Sequence, residues 1–126
     1  MSREVKRYIE NAKEILKKAR KEGGYYIDMK YVKSAFGCLY LGILKAVDEF
    51  LLSKGIQEKN LPKKIDEYMR YLKKYGSVYN GKLIREFDSL YYQIHIAGYY
   101  RGFLKSEKIV KEAFEEAEIF IKKLVR

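Results

Sequence analysis

The sequence lacks several residue types, and each absence narrows what this protein can do. It has no tryptophan and no threonine, and only one residue each of cysteine, proline and histidine. The single Cys38 cannot form an intramolecular disulfide, so we expect a buried thiol in a reduced compartment. One cysteine and one histidine cannot supply the ligands of a zinc site. We therefore expect no metal and no cofactor.

Long hydrophobic runs are also missing. The longest uncharged apolar stretch, residues 35–44, falls short of the ~20 residues that a membrane-spanning helix needs. Residues 1–12 lack the apolar run of a signal peptide. We therefore expect a cytoplasmic protein that does not bind membranes.

What the 126 residues do contain is charge, with a net value of +10. Lysine, glutamate, isoleucine and tyrosine are abundant while glutamine and asparagine are scarce, a balance typical of thermophilic proteins with surface ion-pair networks. A strongly basic chain is also what nucleic-acid binding requires. Both explanations of the charge stay open.

The most apolar segment, residues 28–54, is predicted to be one buried helix around which the rest packs. Phe36, Tyr40, Ile43 and Val47 recur at spacings of three and four, the helical period. The other segments repeat this period, and none alternates as a strand does. The sequence predicts a single all-α domain over residues 1–126, an up-and-down helical bundle. Its four to five helices are expected at about 2–22, 28–54, 62–75, 81–104 and 106–125.

Capping and breaking residues set these expected boundaries. Side chains that accept hydrogen bonds favour helix starts, and Pro62 suits the first turn of a helix. Glycines end helices. The expected caps are Ser2, Asp28, Asn80 and Ser106, and the expected breaks are Gly23, Gly24, Gly55 and Gly76.

Two sets of small residues predict close helix packing. Gly98 and Gly102 lie four apart in the expected fourth helix, where each costs about 1 kcal/mol relative to alanine. We expect them to meet a stripe of small residues on the second helix, or to form a two-fold interface. A homodimer or a complex with a partner protein is therefore expected. The stripe consists of Ser34, Cys38, Gly42 and Ala46.

The positive charge is concentrated in two segments. Residues 1–22 hold eight basic against four acidic residues, and residues 54–75 hold seven against three. If the first and third helices lie side by side, they form one basic face for nucleic-acid phosphates. The residues of this expected face are Lys17, Lys18, Arg20, Lys21, Lys63, Lys64, Arg70, Lys73 and Lys74.

Tyrosine is the other unusual feature, with 13 copies. Exposed aromatic rings beside basic residues can stack unpaired bases, although most tyrosines on helices pack at the core boundary. The pairs Tyr25–Tyr26 and Tyr99–Tyr100 are the candidates for base stacking.

The run SAFGCLYLGILKAVDEFLLSKG resembles the second helix of HEPN-domain proteins, small prokaryotic helical bundles that occur as toxins and as partners of nucleotidyltransferases. The five-helix order and basic balance are similar as well. The resemblance implies a dimeric bundle. Its ribonuclease members carry an arginine followed four to six residues later by a histidine.

This sequence departs from that motif. Arg85 precedes His95 by too many residues, and Arg101 follows it, about 120° around a helix. The resemblance therefore implies the scaffold without catalysis, and we expect a non-enzymatic binding or interaction module that contacts RNA or nucleotide. Two alternatives stay open: a divergent ribonuclease using His95 with Arg85 or Arg101, and a structural thermophilic protein.

Overall fold

The computed structural model describes residues 1–76 and 81–125. Within them the fold is all-α, as predicted. Helix α4 continues directly into a ten-residue π-helical stretch, Tyr91–Tyr100, here called the π segment. No helix of the described residues is both long and apolar enough to cross a bilayer. The five α-helices are α1 (Arg3–Lys17), α2 (Met29–Ser53), α3 (Ile65–Tyr75), α4 (Lys82–Leu90) and α5 (Glu107–Leu124), with strands β1 (Lys21–Glu22) and β2 (Tyr25–Tyr26) and a 3-10 turn (Glu58–Asn60) between them.

Helix α2 is the centre of the core. Helix α1 runs antiparallel along one side, where the hydroxyl of Ser2 donates to Glu49 at 2.8 Å. Helix α5 packs on another side, with the rings of Phe114 and Phe36 5.6 Å apart. The π segment covers a third side, where Tyr91 faces Tyr40. The central role predicted for this helix agrees with the structure.

Helix α1 ends before the expected residue 22, because the chain then turns into a hairpin. Strand β1 pairs antiparallel with β2, Lys21 opposite Tyr26. Gly23 and Gly24 take φ values of 58° and 84°, and two consecutive positive φ values are what a tight hairpin turn of type I′ needs. The prediction that no strand forms was wrong here.

The helix caps agree with prediction at two positions and differ at a third. Ser2 accepts from the amide of Val5 at 3.1 Å, and Ser106 caps α5. Asp28 precedes α2, but its carboxylate accepts from the amide and the Nε of Arg20, so its predicted capping bond is wrong. The expected cap Asn80 lies outside the described residues.

Two expected helix boundaries also move. Pro62 does not begin the third helix, which starts at Ile65 with Lys64 as its N-terminal neighbour. The fourth helix ends at Tyr100 and not at residue 104. Gly102 follows that end with φ 63°, so it belongs to the turn after the helix. Gly55 has φ 95°, the left-handed conformation expected after α2.

The small residues pack differently from the sequence prediction. A Cβ atom at Gly42 would lie 2.9 Å from the Cβ of Tyr8, and the thiol of Cys38 contacts the Tyr8 carbonyl oxygen at 3.3 Å. The stripe therefore faces α1 and not the fourth helix. Gly98 instead lies against the buried ring of Phe36. Of the remaining stripe residues, Ala46 is buried and Ser34 is exposed.

Candidate functional site

A stack of aromatic rings runs along the π segment. In a π-helix the hydrogen bonds join residues five apart, as between the Arg101 amide and the Ile96 carbonyl at 2.9 Å. The ring of His95 stacks on Tyr99 with centroids 5.7 Å apart and planes 14° apart. It also stacks on Tyr40 of α2 at 4.3 Å and on Tyr91 at 5.4 Å. We call Tyr40, Tyr91, His95 and Tyr99 the aromatic ladder.

Gly37 allows the outer ring of the ladder to lie against α2. A Cβ atom there would be 2.8 Å from the Cδ1 of Tyr99, closer than van der Waals contact. The ladder ends at the surface, because the Tyr99 residue is 42% exposed and its neighbour Tyr100 is 66% exposed. The end of the ladder thus presents aromatic rings to solvent.

The inner part of the ladder carries no charge at neutral pH. Burial lowers the pKa of His95, which keeps the imidazole neutral, and its Nδ1 is buried without a hydrogen-bond partner among the described residues. Burial also raises the pKa of Tyr40 to about 12. These rings therefore form an apolar support for the exposed tyrosines.

Basic side chains border the exposed end of the ladder. Lys30 and Lys33 of α2 line a depression of about 470 Å³ together with Ser34, Tyr99 and Tyr100. The aliphatic part of Lys33 passes over Gly102, within 3.1 Å of where a Cβ would be. Next to Gly102, the guanidinium of Arg101 lies 5.8 Å from the ring of the exposed Phe103. We call this set the aromatic–basic surface: Lys30, Lys33, Tyr99, Tyr100, Arg101 and Phe103.

The first predicted basic group is mostly engaged in ion pairs. Lys17 lies 3.1 Å from Glu14, Arg20 3.2 Å from Asp28, and Lys21 2.9 Å from Glu107. The carboxylate of Glu107 raises the pKa of Lys21 through its hydrogen bond. Lys18 caps the end of α1 and is exposed. Three of these four cations are therefore already partly neutralised.

The second predicted group lies elsewhere on the molecule. The hydroxyl of Tyr68 in α3 donates to Asp48 at 2.8 Å, near the end of α2, whereas Arg20 pairs with Asp28 at its start. At 1.5 Å per residue these anchor points are about 30 Å apart. The structure therefore does not bring the two groups onto one face, which corrects the sequence prediction. Exposed on α3 and just before it are Lys63, Lys64, Arg70, Lys73 and Lys74.

The residues of the ribonuclease alternative are not brought together either. The guanidinium of Arg85 approaches Gly81 at the start of α4, on the order of 20 Å along the helix axis from His95. Arg101 faces Phe103, while His95 is enclosed by tyrosine rings. Within the described residues no group of three or more histidine, cysteine or acidic side chains could hold a metal.

Sequence reasoning selected Tyr99 and Tyr100 but missed the lysines beside them. Residues 28–53 are neutral overall, so the segment count hid Lys30 and Lys33. One signal could have found them: both lie in the first half of α2, while Asp48 and Glu49 lie in the second. The charge of this helix is separated along its length. Tyr25 is exposed and Tyr26 is buried in the hairpin, which pairs with Lys105 and Ser106, and neither tyrosine lines the depression.

Comparisons with known proteins place this fold in a family without supplying an activity. The family model described as "Domain of unknown function (DUF5618)" matches residues 1–126. A solved structure described as a protein of unknown function from Dyadobacter fermentans is similar, with a TM-score of 0.77 and 35% sequence identity. The similarity covers 95% of this chain and 90% of that one. The comparison with curated proteins gives no match. The chain belongs to the DUF5618 family.

Proposed function

We propose that this protein is a non-enzymatic binding module that contacts single-stranded nucleic acid, RNA in particular, through the aromatic–basic surface. One observation carries the proposal: Tyr99 and Tyr100 are exposed in the same depression as Lys30 and Lys33. Exposed rings stack unpaired bases for about 1–3 kcal/mol per base, and neighbouring cations neutralise the phosphates.

A single strand fits this surface better than a duplex does. The faces of the bases are hidden in a duplex, and stacking on a tyrosine needs an unpaired base. The ladder beneath Tyr99 holds its ring in a fixed orientation through His95 and Gly37. A ring that is already fixed loses little conformational entropy when a base stacks on it.

The arrangement favours binding over catalysis. A metal-independent ribonuclease needs a base and a cation that reach the same phosphodiester. Here His95 is enclosed by Tyr40, Tyr91 and Tyr99, and burial lowers its pKa. The HEPN-like scaffold and the homodimer remain part of this proposal. Two copies would carry two such surfaces, and joining them raises the avidity for one strand.

Fluorescence anisotropy with a short labelled oligouridine tests the proposal. Tyr100→Ala should weaken binding by about 5- to 150-fold, the equivalent of about 1–3 kcal/mol for one stacked base. Tyr92→Ala is the matched control, because Tyr92 belongs to the same π segment and is 60% exposed but does not line the depression. It should bind like the wild type.

Salt dependence separates stacking from charge. Lys33→Gln removes one candidate phosphate contact and should reduce the slope of log affinity against log salt by about 0.7. Undetectable binding at about 50 mM salt, where such contacts are strong, would reject the proposal. Equal losses in Tyr100→Ala and Tyr92→Ala would place any binding elsewhere.

A further inference from the structure

One side of α2 is open along most of its length, and α3 reaches only its edge, where the hydroxyl of Tyr68 donates to Asp48. Helix α1, helix α5 and the π segment cover the other three sides. On the open side Leu41 is 52% exposed although it belongs to the central helix of the core, and Leu52 and Ser34 are exposed on the same side. At 100° per residue, Ser34, Leu41 and Leu52 lie within about 20° of one line along α2. We call this the open face of α2.

A groove follows the open face beside Leu41. It has a volume of about 520 Å³ and is bordered by Ser34, Gly37, Cys38, Tyr40, Leu41, His95 and Tyr99. The imidazole contributes no charge there, since burial lowers the pKa of His95, and the ring of Tyr99 lies against the helix backbone at Gly37. The groove therefore fits an aliphatic side chain.

The charges along the open face are of opposite sign at its two ends. The ammonium of Lys30 lies 4.9 Å above the ring of Tyr31 and makes no ion pair with the described residues. The carboxylate of Asp48 is half-buried and accepts a hydrogen bond from Tyr68, and no described cation pairs with it in a salt bridge. Lys30 and Asp48 each lie about 20° from Leu41 around the helix.

These charges are complementary to those of a second α2 helix lying antiparallel. If Leu41 of each copy enters the groove beside the Tyr99 ring, at the level of Gly37 of the other, Lys30 lies opposite the partner's Asp48. The register follows from the sequence, because Lys30 precedes Gly37 by seven residues and Asp48 follows Leu41 by seven. A two-fold axis then makes the pairing twice, as an isologous interface requires.

We infer that the open face of α2 binds a second copy of this chain, antiparallel, with Leu41 in the partner's groove and Lys30 paired with the partner's Asp48. The inference deepens the proposed function where that assumes two copies, and it names the surface that joins them. Because Lys30 pairs with the partner and Tyr99 borders the groove, the contacts to nucleic acid in the dimer come from the rest of the aromatic–basic surface: Lys33, Tyr100, Arg101 and Phe103. It does not depend on nucleic acid, so it is tested on the protein alone.

Light scattering on the purified protein gives the first measurement, and a mass of twice 15.0 kDa is expected. Lys30→Glu and Asp48→Lys should each be monomeric, with dissociation constants raised about 100-fold or more, because each places like charges opposite each other. An equimolar mixture of the two variants should restore the dimer. Every charged pair in the mixed complex is again of opposite sign.

Leu41→Glu provides a second test that does not disturb the Tyr68 hydrogen bond. It should give a monomer with wild-type helical content, whereas Ile119→Glu, at an equally exposed position on α5, should leave the dimer intact. A wild-type protein that stays monomeric at high concentration overturns the inference. So does a dimer that survives Leu41→Glu, or a mixture of charge variants that stays monomeric. Oligouridine binding by a monomeric wild type would reject the interface and leave the proposed function standing.

Discussion

Gly42→Ala is the sharpest test of how α1 packs on α2. The new Cβ would be 2.9 Å from the Cβ of Tyr8, a distance that real Cβ atoms essentially never show. The Tyr8 Cβ is fixed to the backbone of α1, so a rotamer change cannot relieve the contact. The two helices have to separate, and Gly42 itself is buried.

Two opposing terms set the magnitude. Alanine is the better helix former by about 1 kcal/mol, while overpacking a buried contact costs about 1–3 kcal/mol. We expect Gly42→Ala to lower the free energy of unfolding by up to about 2 kcal/mol, because separating two long helices lies at the upper end of that cost. Gly42→Leu should lower it further.

Urea unfolding followed by circular dichroism measures the change, at one fixed protein concentration because a dimer makes stability depend on concentration. Tyr8→Gly supplies the matched background, since it removes the opposing Cβ. In that background Gly42→Ala should become stabilising by about 1 kcal/mol, the helix-propensity term alone. If Gly42→Ala is as stable as the wild type, or if the sign does not reverse in the Tyr8→Gly background, the contact does not limit helix approach.

Further predictions concern the ladder and a helix cap. Gly37→Ala should push the ring of Tyr99 off α2 and so weaken oligouridine binding. Stability should change by less than about 1 kcal/mol, because the helix propensity of alanine offsets the lost ring contact. Thermal melts and anisotropy on one sample measure the two effects. Burial lowers the pKa of His95 in the folded protein, so below about pH 6.5 the unfolded chain binds a proton at His95 more readily than the folded protein does. The wild type should therefore lose stability from about pH 7 to about pH 5 relative to His95→Leu. Urea midpoints of the two proteins that change in parallel with pH would contradict this. Ser106→Ala should lower the free energy of unfolding by about 0.5–1 kcal/mol, the low end for a lost helix cap, because the capping bond to the Ile109 amide is long at 3.4 Å. An unchanged melting temperature would show that the cap is not needed.

Helical periodicity carries information about single elements. The spacing of Phe36, Tyr40, Ile43 and Val47 predicted the central helix, and all four side chains are buried in it. Ser2 and Ser106 likewise predicted helix starts correctly, because a cap bonds to an amide three residues away and needs no tertiary partner. Local chemistry was enough for these features.

Sequence reasoning failed where a local pattern had two outcomes. Asp28 can bond to its own helix or to another side chain, and the hairpin brings Arg20 to it instead. The pair Gly23–Gly24 stops a helix, but it also permits the tight turn that makes β1 and β2. A sequence pattern does not say which partner the folded chain brings near.

The candidate site likewise combines features that the sequence predicted with features that only the folded structure shows. The sequence by itself determined an all-α chain built around α2, and it offered Tyr99 and Tyr100, with Tyr25 and Tyr26, as candidates for base stacking. Only the tertiary structure decided that the two basic segments lie at opposite ends of α2 and that Lys30 and Lys33 border those tyrosines. The reason is physical: helix formation depends on neighbours within a few residues, whereas the charge of a surface depends on which helices pack side by side. That packing is set by shape at positions such as Gly37 and Gly42, where the absence of a side chain lets the neighbouring element approach.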